Sequence, residues 1–392
     1  MGTRRTATED ARKKIFLCWT LNSGTSFYRM FNYVKYMEKE ISFAFSKWSP
    51  KFQGIADWEY NMGDPNVQKD VGFLLDHCDM VIAQKFHWYG GLATLEACRK
   101  QYPKKPFYTE LDDNVFAVNP ESPACESYHV GSEGEKIVKE QIANSTGLIV
   151  STDYLRRTLE EMNPNVWVIP NGIDFETWDS LKPKVKKSKK IRIGWAGGGA
   201  HVKDLEFIEP AVTAITKKYK NVEFVFLGGV PPCFKDKKKI KAYYTWHPIN
   251  DYPQAIKDLN LDIALAPLRD NSFNRGKSNL RWLEYSALGV PTVASNVEPF
   301  KCIEDGKTGL LAVEPEEWIH CLERLIDDEG LRMEIGKNAY NEVKDKFNVE
   351  KIAKDYVKNI KYMLQGKGNI SAEAKLMAIM SQNGKANGRV QA

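Results

Sequence analysis

The stretch that decides the fold of this chain is residues 273–291, FNRGKSNLRWLEYSALGVP. It follows a short apolar run at 263–266 and begins with a polar, glycine-bearing loop that contains Lys277. A helix is predicted to open near Ser278 or Asn279. Such a helix start presents unpaired backbone N–H groups and the positive end of a dipole, which together suit a diphosphate.

Short apolar runs alternate with longer amphipathic stretches on both sides of this segment. The runs lie at 15–19, 41–45, 80–83, 107–111, 148–151 and 166–169, and then at 191–195, 222–227, 243–246, 263–266 and 292–294. The last strongly helical stretches lie at 316–327, 331–347 and 349–364. This rhythm predicts an α/β protein with two doubly wound parallel sheets, each covered by helices on both faces.

The rhythm breaks once, at a Pro-Asn-Gly turn followed by a lysine-rich stretch. A chain of 392 residues also has the length of two domains rather than one. We predict an N-terminal domain over 1–172, a basic linker over 173–190, a C-terminal domain over 191–347, a helix over 348–365 that packs back on the first domain, and a largely disordered tail over 366–392. Two such domains in tandem face each other across a cleft, and ligands bind at the carboxyl ends of their strands.

The composition excludes several classes of protein. A hydrophobic content of 43% and a charged content of 27% are ordinary for a soluble globular chain. The seven cysteines show no CxxC pair, which argues against a disulfide framework or a zinc site and favours a reducing compartment. The polar start has no signal-peptide core and no window is long enough to span a bilayer, so we expect a cytoplasmic protein without a transmembrane segment.

The net charge of +5 is mild, and much of the excess lies in the basic run 182–192. One interpretation of this run is a solvated linker. The other is contact with a polyanion such as nucleic acid. Both interpretations stay open at the level of the sequence.

A second glycine-rich segment, GWAGGGAHVKD at 194–204, follows the first strand of the second half. Glycines there let the backbone approach a phosphate, as in a dinucleotide-binding fold. The spacing is nevertheless not G-x-G-x-x-G, because Ala196 stands where the second glycine counted from Gly194 belongs. The strand at 222–229 also ends without the acidic ribose ligand of such folds, which disfavours a nicotinamide or flavin enzyme.

Three segments resemble signatures of one enzyme family, the retaining GT-B glycosyltransferases of family 4. EYSALGVP at 284–291 is similar to the family's Glu-Ala-x-Ala-x-Gly-x-Pro, PNGID at 170–174 to its Pro-Asn-Gly-(Ile/Val)-Asp, and EDGKTGLL at 304–311 to its Asp-Gly-x-Thr-Gly-Leu-Leu turn. The resemblance is clear over about residues 165–365. It implies a GT-B fold of two Rossmann-like domains facing a cleft, with a nucleotide-sugar donor bound by the second.

The resemblance implies roles for single residues of the first-quoted stretch. In the family, the glutamate at the position of Glu284 accepts hydrogen bonds from the donor's ribose hydroxyls. The backbone amides of Ser278, Asn279 and Leu280 would hold the donor diphosphate. Lys277 would add a full positive charge beside them and stabilise the leaving group.

Further donor-binding candidates lie in the two glycine-bearing loops. Gly24 follows the first strand of the chain, where GT-B enzymes approach the donor diphosphate. The loop at 194–204 supplies Gly198, Gly199, His201 and Lys203. The family binds the diphosphate near this loop with an arginine and a lysine. This chain has no arginine there, so His201 and Lys203 are its cationic candidates, although a plain loop histidine is an equal interpretation of His201.

The chain also departs from the family pattern. Most members carry a second glutamate, facing the transferred sugar, at the position of Gly276. The variant residues Asn274, Lys277 and Ser278 resemble some bacterial and phage-encoded glycosyltransferases. This departure leaves the donor sugar open. The family reads the nucleotide base near a strand that ends here at residues 246–248, where aromatic side chains stack on the base or serve as ordinary core.

The acceptor site is expected in the first half. Glu110, Asp112 and Asp113 end the strand at 107–111, and three carboxylates at a strand end indicate a catalytic or acceptor-binding role. Arg29 is expected to meet a phosphate or a carboxylate, with a surface ion pair as the alternative. The remaining acceptor candidates follow the strand before and are Gln84, His87 and Trp88.

The implied reaction transfers a sugar from a UDP- or GDP-sugar with retention at the anomeric carbon. Positive charges and helix-start amides stabilise the leaving diphosphate, and the departing phosphate or Asp112 takes the acceptor's proton. No metal or other cofactor is required. The acceptor stays open between a glycan, a lipid, a protein and a modified base in duplex DNA. A non-catalytic nucleotide-sugar-binding protein is the alternative of a different class, and the oligomeric state is left open.

Overall fold

The computed structural model describes residues 12–18, 24–44, 75–86, 89–122, 125–184, 188–235, 240–243 and 247–366. Within them the chain forms two α/β halves. Each half is built on a six-stranded sheet, and the strand pairings of both sheets are parallel. The strands β3, β4 and β5 are buried along their whole length, because helices cover both faces of such a sheet.

The N-terminal sheet has the strand order β2-β1-β3-β4-β5-β6. Its strands are β1 (Lys13–Cys18), β2 (Ile41–Ala44), β3 (Met80–Gln84), β4 (Phe107–Leu111), β5 (Gly147–Val150) and β6 (Val166–Val168). The direction of winding reverses between β1 and β3. In an open parallel sheet the loops diverge at such a point and leave a crevice at the carboxyl ends of the strands.

The C-terminal sheet has the order β12-β11-β10-β7-β8-β9, with its reversal between β7 and β10. Its strands are β7 (Ile191–Gly197), β8 (Val222–Gly228), β9 (Ile240–Tyr243), β10 (Ile263–Ala266), β11 (Thr292–Ser295) and β12 (Leu310–Ala312). The strand predicted at 243–246 begins three residues earlier in the structure, where β9 covers Ile240–Tyr243. Residues 244–246 lie outside the described part of the chain.

The helices alternate with the strands in both halves. In the first half they are α1 (Gly24–Ser26), α2 (Asn32–Met37), α3 (Tyr89–Gln101), α4 (Cys125–Tyr128), α5 (Glu133–Asn144) and α6 (Asp153–Leu159). Helix α7 (Phe175–Ser180) lies in the stretch predicted as a linker, and its Phe175 and Trp178 belong to a buried cluster made mainly of second-half residues. In the second half they are α8 (Val202–Phe207), α9 (Glu209–Lys218), α10 (Pro232–Lys235), α11 (Tyr252–Asp258), α12 (Ser272–Arg275), α13 (Leu280–Ala287), α14 (Pro315–Asp327), α15 (Glu329–Lys346) and α16 (Val349–Leu364). No helix among the described residues is both long and apolar enough to cross a membrane.

A π-helical turn, Phe27–Phe31, joins α1 to α2 directly after the loop that follows β1. It buries three consecutive side chains, Tyr28, Arg29 and Met30. A regular α-helix of a surface layer buries only one stripe of side chains. The wider π-turn therefore directs two polar side chains inward at the carboxyl end of β1, and such turns are frequent at functional sites.

The last helix, α16, lies against the first half rather than the second. Its Val357, Ile360 and Met363 belong to the same buried cluster as Tyr33 and Met37 of α2. The chain re-enters the first half through backbone hydrogen bonds between residues 173 and 347 and between residues 349 and 173. Helix α16 therefore ties the end of the second half to the first half.

Candidate functional site

A cavity of about 370 Å³ lies between the two halves, where the carboxyl ends of β1, β7 and β10 meet. We call it the cleft. From the first half it is lined by Gly24, Thr25, Tyr28, Arg29, Asp112, Asp113 and Asn171. From the second half it is lined by Trp195, Gly197, Gly198, His201, Leu227, Gly228, His247, Ile249, Tyr252, Ala266, Pro267, Leu268, Lys277, Ser278, Leu280, Arg281, Glu284 and Phe300.

Glu284 of α13 lines the cleft with only 1% of its surface exposed. Its Oε2 accepts a hydrogen bond from Arg281 Nη1 at 2.7 Å, one turn earlier on the same helix. Its Oε1 accepts one from the Tyr28 hydroxyl at 3.0 Å, across the cleft. Burial raises the pKa of Glu284, and the charge of Arg281 opposes that rise. Each carboxylate oxygen retains a second lone pair, so the group can still accept hydrogen bonds from a pair of hydroxyls.

The start of α13 has no side-chain cap. Its N-cap residue Asn279 accepts no hydrogen bond from the first turn, and its Nδ2 donates to Cys302 Sγ at 3.3 Å. The N–H groups of the first turn are therefore left for another acceptor. Lys277 lies beside them at the cleft, with Nζ 3.4 Å from Asp113 Oδ1 and 4.4 Å from the centre of the Phe273 ring.

The glycine-rich loop after β7 contributes both a close contact and open space. A Cβ on Gly197 would lie 2.5 Å from the Trp195 ring and 2.9 Å from Arg281 Nη2, so only glycine fits there. A Cβ on Gly198 or Gly199 would meet nothing within 4 Å. Gly198 lines the cleft, and the space above it is available to a ligand.

Only one of the two cationic candidates of this loop lines the cleft. His201 lines the cleft, and its Nδ1 lies 3.0 Å from Asp204 Oδ2. Lys203 does not line the cleft, because its Nζ is paired with Glu206 at 2.8 Å on the exposed side of α8. Of the two, the structure therefore brings only His201 to the predicted phosphate position.

The three acidic residues at the end of β4 also lie in different surroundings. Asp112 and Asp113 line the cleft, whereas Glu110 lies beneath it, 1% exposed and paired with Arg29 Nε at 2.6 Å. Burial favours the neutral form of Asp112, but Lys85 at 2.7 Å and the Thr25 hydroxyl at 2.9 Å lower its pKa to about 2. Asp112 is therefore an ionised acceptor of hydrogen bonds, and the catalytic role predicted for Glu110 has no support from the geometry.

Arg29 forms a buried ion pair, not the surface pair considered from the sequence. Besides Glu110, its Nη1 donates to the Ile169 carbonyl oxygen at 2.7 Å and to Asn171 Oδ1 at 2.9 Å. Gln84 is buried beside this pair and donates to Glu110 Oε2 at 3.3 Å, so it supports the floor of the cleft without lining it. The other two predicted acceptor residues, His87 and Trp88, lie outside the described residues.

Gly276 lies where the two halves touch. A Cβ there would be 2.9 Å from Asn114 Cβ and 3.3 Å from the Asn114 backbone nitrogen. The Thr152 hydroxyl donates to the Gly276 carbonyl oxygen at 3.4 Å. The glutamate that the family pattern places at this position has no room in this arrangement, so its absence matches the close contact between the halves.

Sequence comparison finds similarity to glycosyltransferases over part of the chain. Residues 190–328 match the family of glycosyl transferases group 1. An uncharacterized glycosyltransferase of Methanocaldococcus jannaschii is 28% identical over 202 residues, which are 49% of this chain and 51% of that protein. The chain thus matches about half the length of this curated relative.

Solved structures of the same shape cover nearly the whole chain. Sucrose-phosphate synthase from Thermosynechococcus elongatus has a TM-score of 0.62 at 13% identity, over 91% of this chain and 100% of that chain. Anabaena HepE in complex with UDP and glucose has a TM-score of 0.63 at 14% identity, over 89% and 99%. These likenesses establish the fold, and they confirm the predicted GT-B class of two α/β domains with parallel sheets facing a cleft.

The group 1 segment, 190–328, contains every cleft-lining residue of the second half, from Trp195 to Phe300. Glu284, Lys277 and the start of α13 lie inside it. The cleft-lining residues of the first half lie outside it. The match therefore bears on the predicted donor side of the cleft and not on the acceptor side.

Several residues of the cleft carry no sequence signal that we recognised. Tyr28 reaches Glu284 only because the π-turn and the closed cleft bring together positions 256 residues apart. The Tyr252 hydroxyl accepts from Arg281 Nη1 at 2.6 Å, and α11 has no motif that marks it. The pairing of Asp204 with His201 could have been predicted, because a histidine and an aspartate three positions apart at a helix start share one face.

The described residues contain no cluster of three or more histidines, cysteines, aspartates or glutamates arranged to hold a metal ion. Asp112 and Asp113 are two adjacent carboxylates at the cleft, the residue type that a metal site would use. Their carboxylates are instead engaged by Lys85 and Lys277. Basic side chains therefore lie against both aspartates that line the cleft from the first half.

Proposed function

We propose that this protein transfers a sugar from a nucleotide-sugar donor to an acceptor hydroxyl, with retention at the anomeric carbon. One observation carries the proposal. The stretch 273–291, which we call the donor motif, presents a buried carboxylate, Glu284, and an uncapped helix start to the same cleft, between two parallel sheets at their reversal points. A ribose diphosphate needs these two features side by side.

The donor side of the cleft suits a nucleoside diphosphate. Glu284 would accept hydrogen bonds from the ribose hydroxyls. The first-turn amides of α13, Lys277 and the open space at Gly198 would hold the diphosphate. The base would lie against His247, Ile249 and Tyr252 in the remaining part of the lining. A uridine nucleotide is our preferred donor, since a protein of the same fold holds UDP.

The chemistry follows from where charge develops. As the bond between the sugar and the diphosphate breaks, negative charge grows on the phosphate oxygens, and the amides and Lys277 stabilise it. A carboxylate with a pKa of about 2 is a weak base at neutral pH, so Asp112 is poorly matched to remove the acceptor's proton. The departing phosphate takes that proton, and Asp112 orients the acceptor hydroxyl as a hydrogen-bond acceptor.

A second candidate is a binding protein of the same fold without turnover. The contact at Gly276 favours it, since the glutamate that faces the sugar in most family members is replaced by a contact between the halves. This candidate binds the donor as the enzyme does. It differs only in what happens to the bound sugar.

The test is a panel of nucleotide sugars with UDP and GDP carriers. A donor that binds the native state raises the melting temperature, so thermal shift identifies it. Release of free nucleotide or transfer to an acceptor supports the enzyme, and binding without turnover supports the second candidate. A chain that binds no member of the panel contradicts both. Duplex DNA as the acceptor requires tight DNA binding that weakens steeply with salt.

A further inference from the structure

The loop after β7 brings one imidazole to the cleft in place of an arginine. The His201 ring lies edge-on to Trp195, with 6.0 Å between the ring centres. Its Nδ1 is bonded to Asp204. Within the described part of the chain, Nε2 has no hydrogen-bond partner, and the ring is among the groups that line the cleft. One nitrogen is therefore fixed by the protein and the other is left for a ligand.

The Asp204 carboxylate is itself fixed by hydrogen bonds on the side away from His201. Its side chain is buried, and Oδ2 faces the imidazole. Its Oδ1 accepts from Asn274 Nδ2 at 2.8 Å and from the Arg269 backbone N–H at 3.0 Å. Asn274 is anchored in turn by donating to the Arg269 carbonyl oxygen at 2.9 Å. Both carboxylate oxygens are thus occupied by donors in fixed positions.

Resting on the proposed function, we infer that Asp204 is a positioning residue that holds His201 for the donor diphosphate, and that donor binding draws a proton onto the His201 ring. By accepting a hydrogen bond from Nδ1–H, Asp204 Oδ2 selects the tautomer whose Nε2 is unprotonated. Protonation of Nε2 then turns the ring into a cation that can donate to a phosphate oxygen. Asn274, one of the residues in which this chain departs from the common family pattern, would support Asp204 through its hydrogen bond to Oδ1.

The charged groups around the His201 ring explain why donor binding favours its protonation. Burial lowers the pKa of His201, Lys277 and Arg281 lower it further, and Asp204 opposes them. These three charged groups face the ring from different elements. Asp204 lies on α8, Lys277 lies just before α13, and Arg281 lies on α13. The ring is therefore neutral at pH 7 in the free protein. A diphosphate offsets the two cations and adds negative charge, which raises the pKa of His201 and favours the protonated ring.

This coupling has a defined sign. When the bound form has the higher pKa, binding takes up a proton and weakens as pH rises through that pKa. The probe is UDP-glucose, with GDP-glucose as the second probe, because a diphosphate esterified at both ends does not titrate near neutral pH. Calorimetric titration in two buffers of different ionisation enthalpy measures the affinity and the number of protons taken up.

We expect the wild-type protein to take up protons, up to one per site, on binding at about pH 7, with an affinity that falls by up to about tenfold per pH unit between the pKa of His201 in the free protein and its higher pKa in the complex. The His201→Gln variant should bind about ten- to a hundredfold more weakly near pH 6.5 and show no pH dependence, since a hydrogen bond to a charged group is lost. The Asp204→Asn variant should show the same two effects, weaker binding near pH 6.5 and no pH dependence. The double variant should be no weaker than His201→Gln, because both act through one ring.

Matched controls keep the same chemistry away from the cleft. His320→Gln and Asp355→Asn change exposed side chains of α14 and α16 and should leave affinity and proton uptake unchanged. If Asp204→Asn does not fold, the ¹⁵N chemical shifts of His201 in the wild-type protein decide. They should show a protonated Nδ1 and a bare Nε2, and the opposite tautomer overturns the inference.

The possible failures are distinguishable. If the wild-type protein binds a probe with no proton uptake, or if the losses of the two single variants add, the inference about Asp204 and His201 is wrong while the proposed function stands. If neither probe binds to the wild-type protein, the donor identified in the panel takes their place. If no member of the panel binds, the proposed function fails, and the inference fails with it.

Discussion

Glu110 and Asp112 lie two residues apart and have opposite surroundings. Asp112 is held ionised at the cleft by Lys85 and a hydroxyl, whereas Glu110 is sealed beneath it against Arg29. Burial raises the pKa of Glu110, and the charge of Arg29 opposes that rise. A sequence pattern of adjacent acids indicates a charged strand end. It does not show which acid the chain turns inward, because the partner of Glu110 is 81 residues away.

The buried pair predicts a pH-dependent loss of stability in Arg29→Met. Without the cation, Glu110 is an unpaired buried charge, and the free energy of unfolding should fall by about 3–5 kcal/mol at neutral pH. A folded-state pKa above the unfolded value, about 4.3, means that stability is present below that value and is lost as pH rises through the folded pKa. Denaturant unfolding at about pH 5 should therefore show a smaller loss than at pH 8.

The double variant Arg29→Met/Glu110→Gln is the control for this prediction. It removes the buried charge itself, so it should recover most of the stability lost at pH 8. An Arg29→Met loss that is equal at both pH values would contradict a buried, uncompensated carboxylate as its cause.

Gly276 supplies a second prediction at the residue scale. The Cβ of Gly276→Ala would meet Asn114 at 2.9 Å, and such overpacking costs about 1–3 kcal/mol. The backbone there needs no glycine for its conformation, since φ is −76°. Gly198→Ala is the matched control, because its Cβ would meet nothing within 4 Å. Thermal unfolding should separate the two variants, and equal melting temperatures would show that the halves do not touch at Gly276.

At the scale of elements, periodicity predicts most of the strands and the long helices. The stretch predicted as a helix at 316–327 is Pro315–Asp327 in the structure, and that at 349–364 is Val349–Leu364. The strand predicted at 243–246 begins three residues earlier, at Ile240, because the whole run 240–246 is favourable for a strand and propensity alone does not fix where it starts. The π-turn at Phe27–Phe31 was not predicted, since its side chains fit an ordinary helix equally well.

Helix α16 offers a test of how one element stabilises the molecule. Ile360 is fully buried in the cluster shared with α2, so Ile360→Ala should lower the free energy of unfolding by about 2–5 kcal/mol. Lys358→Ala, on the exposed side of the same helix, should change it by less than about 1 kcal/mol. Denaturant unfolding measures both, and similar losses would contradict the docking of α16 on the first half.

At the scale of the whole molecule, the site depends on contacts between distant parts of the chain. Tyr28 bonds to Glu284, Asn171 Nδ2 donates to Ser278 Oγ at 2.8 Å, and Lys277 faces Asp113. All three contacts join the first half to the donor motif. The sequence identified the donor motif because its residues are contiguous. It did not predict these pairs, since partners from two domains meet only when both are folded and closed.

The donor role of Glu284 is the central claim, and calorimetric titration of the donor identified in the panel, UDP-glucose first, tests it most directly. Glu284→Gln keeps the shape of the side chain but removes the charge and one acceptor, so donor affinity should weaken by roughly 1–3 kcal/mol. Glu316→Gln, on the exposed face of α14, is the matched control and should bind as the wild-type protein does. Unchanged affinity in a folded Glu284→Gln variant would contradict the assignment of Glu284 to the ribose.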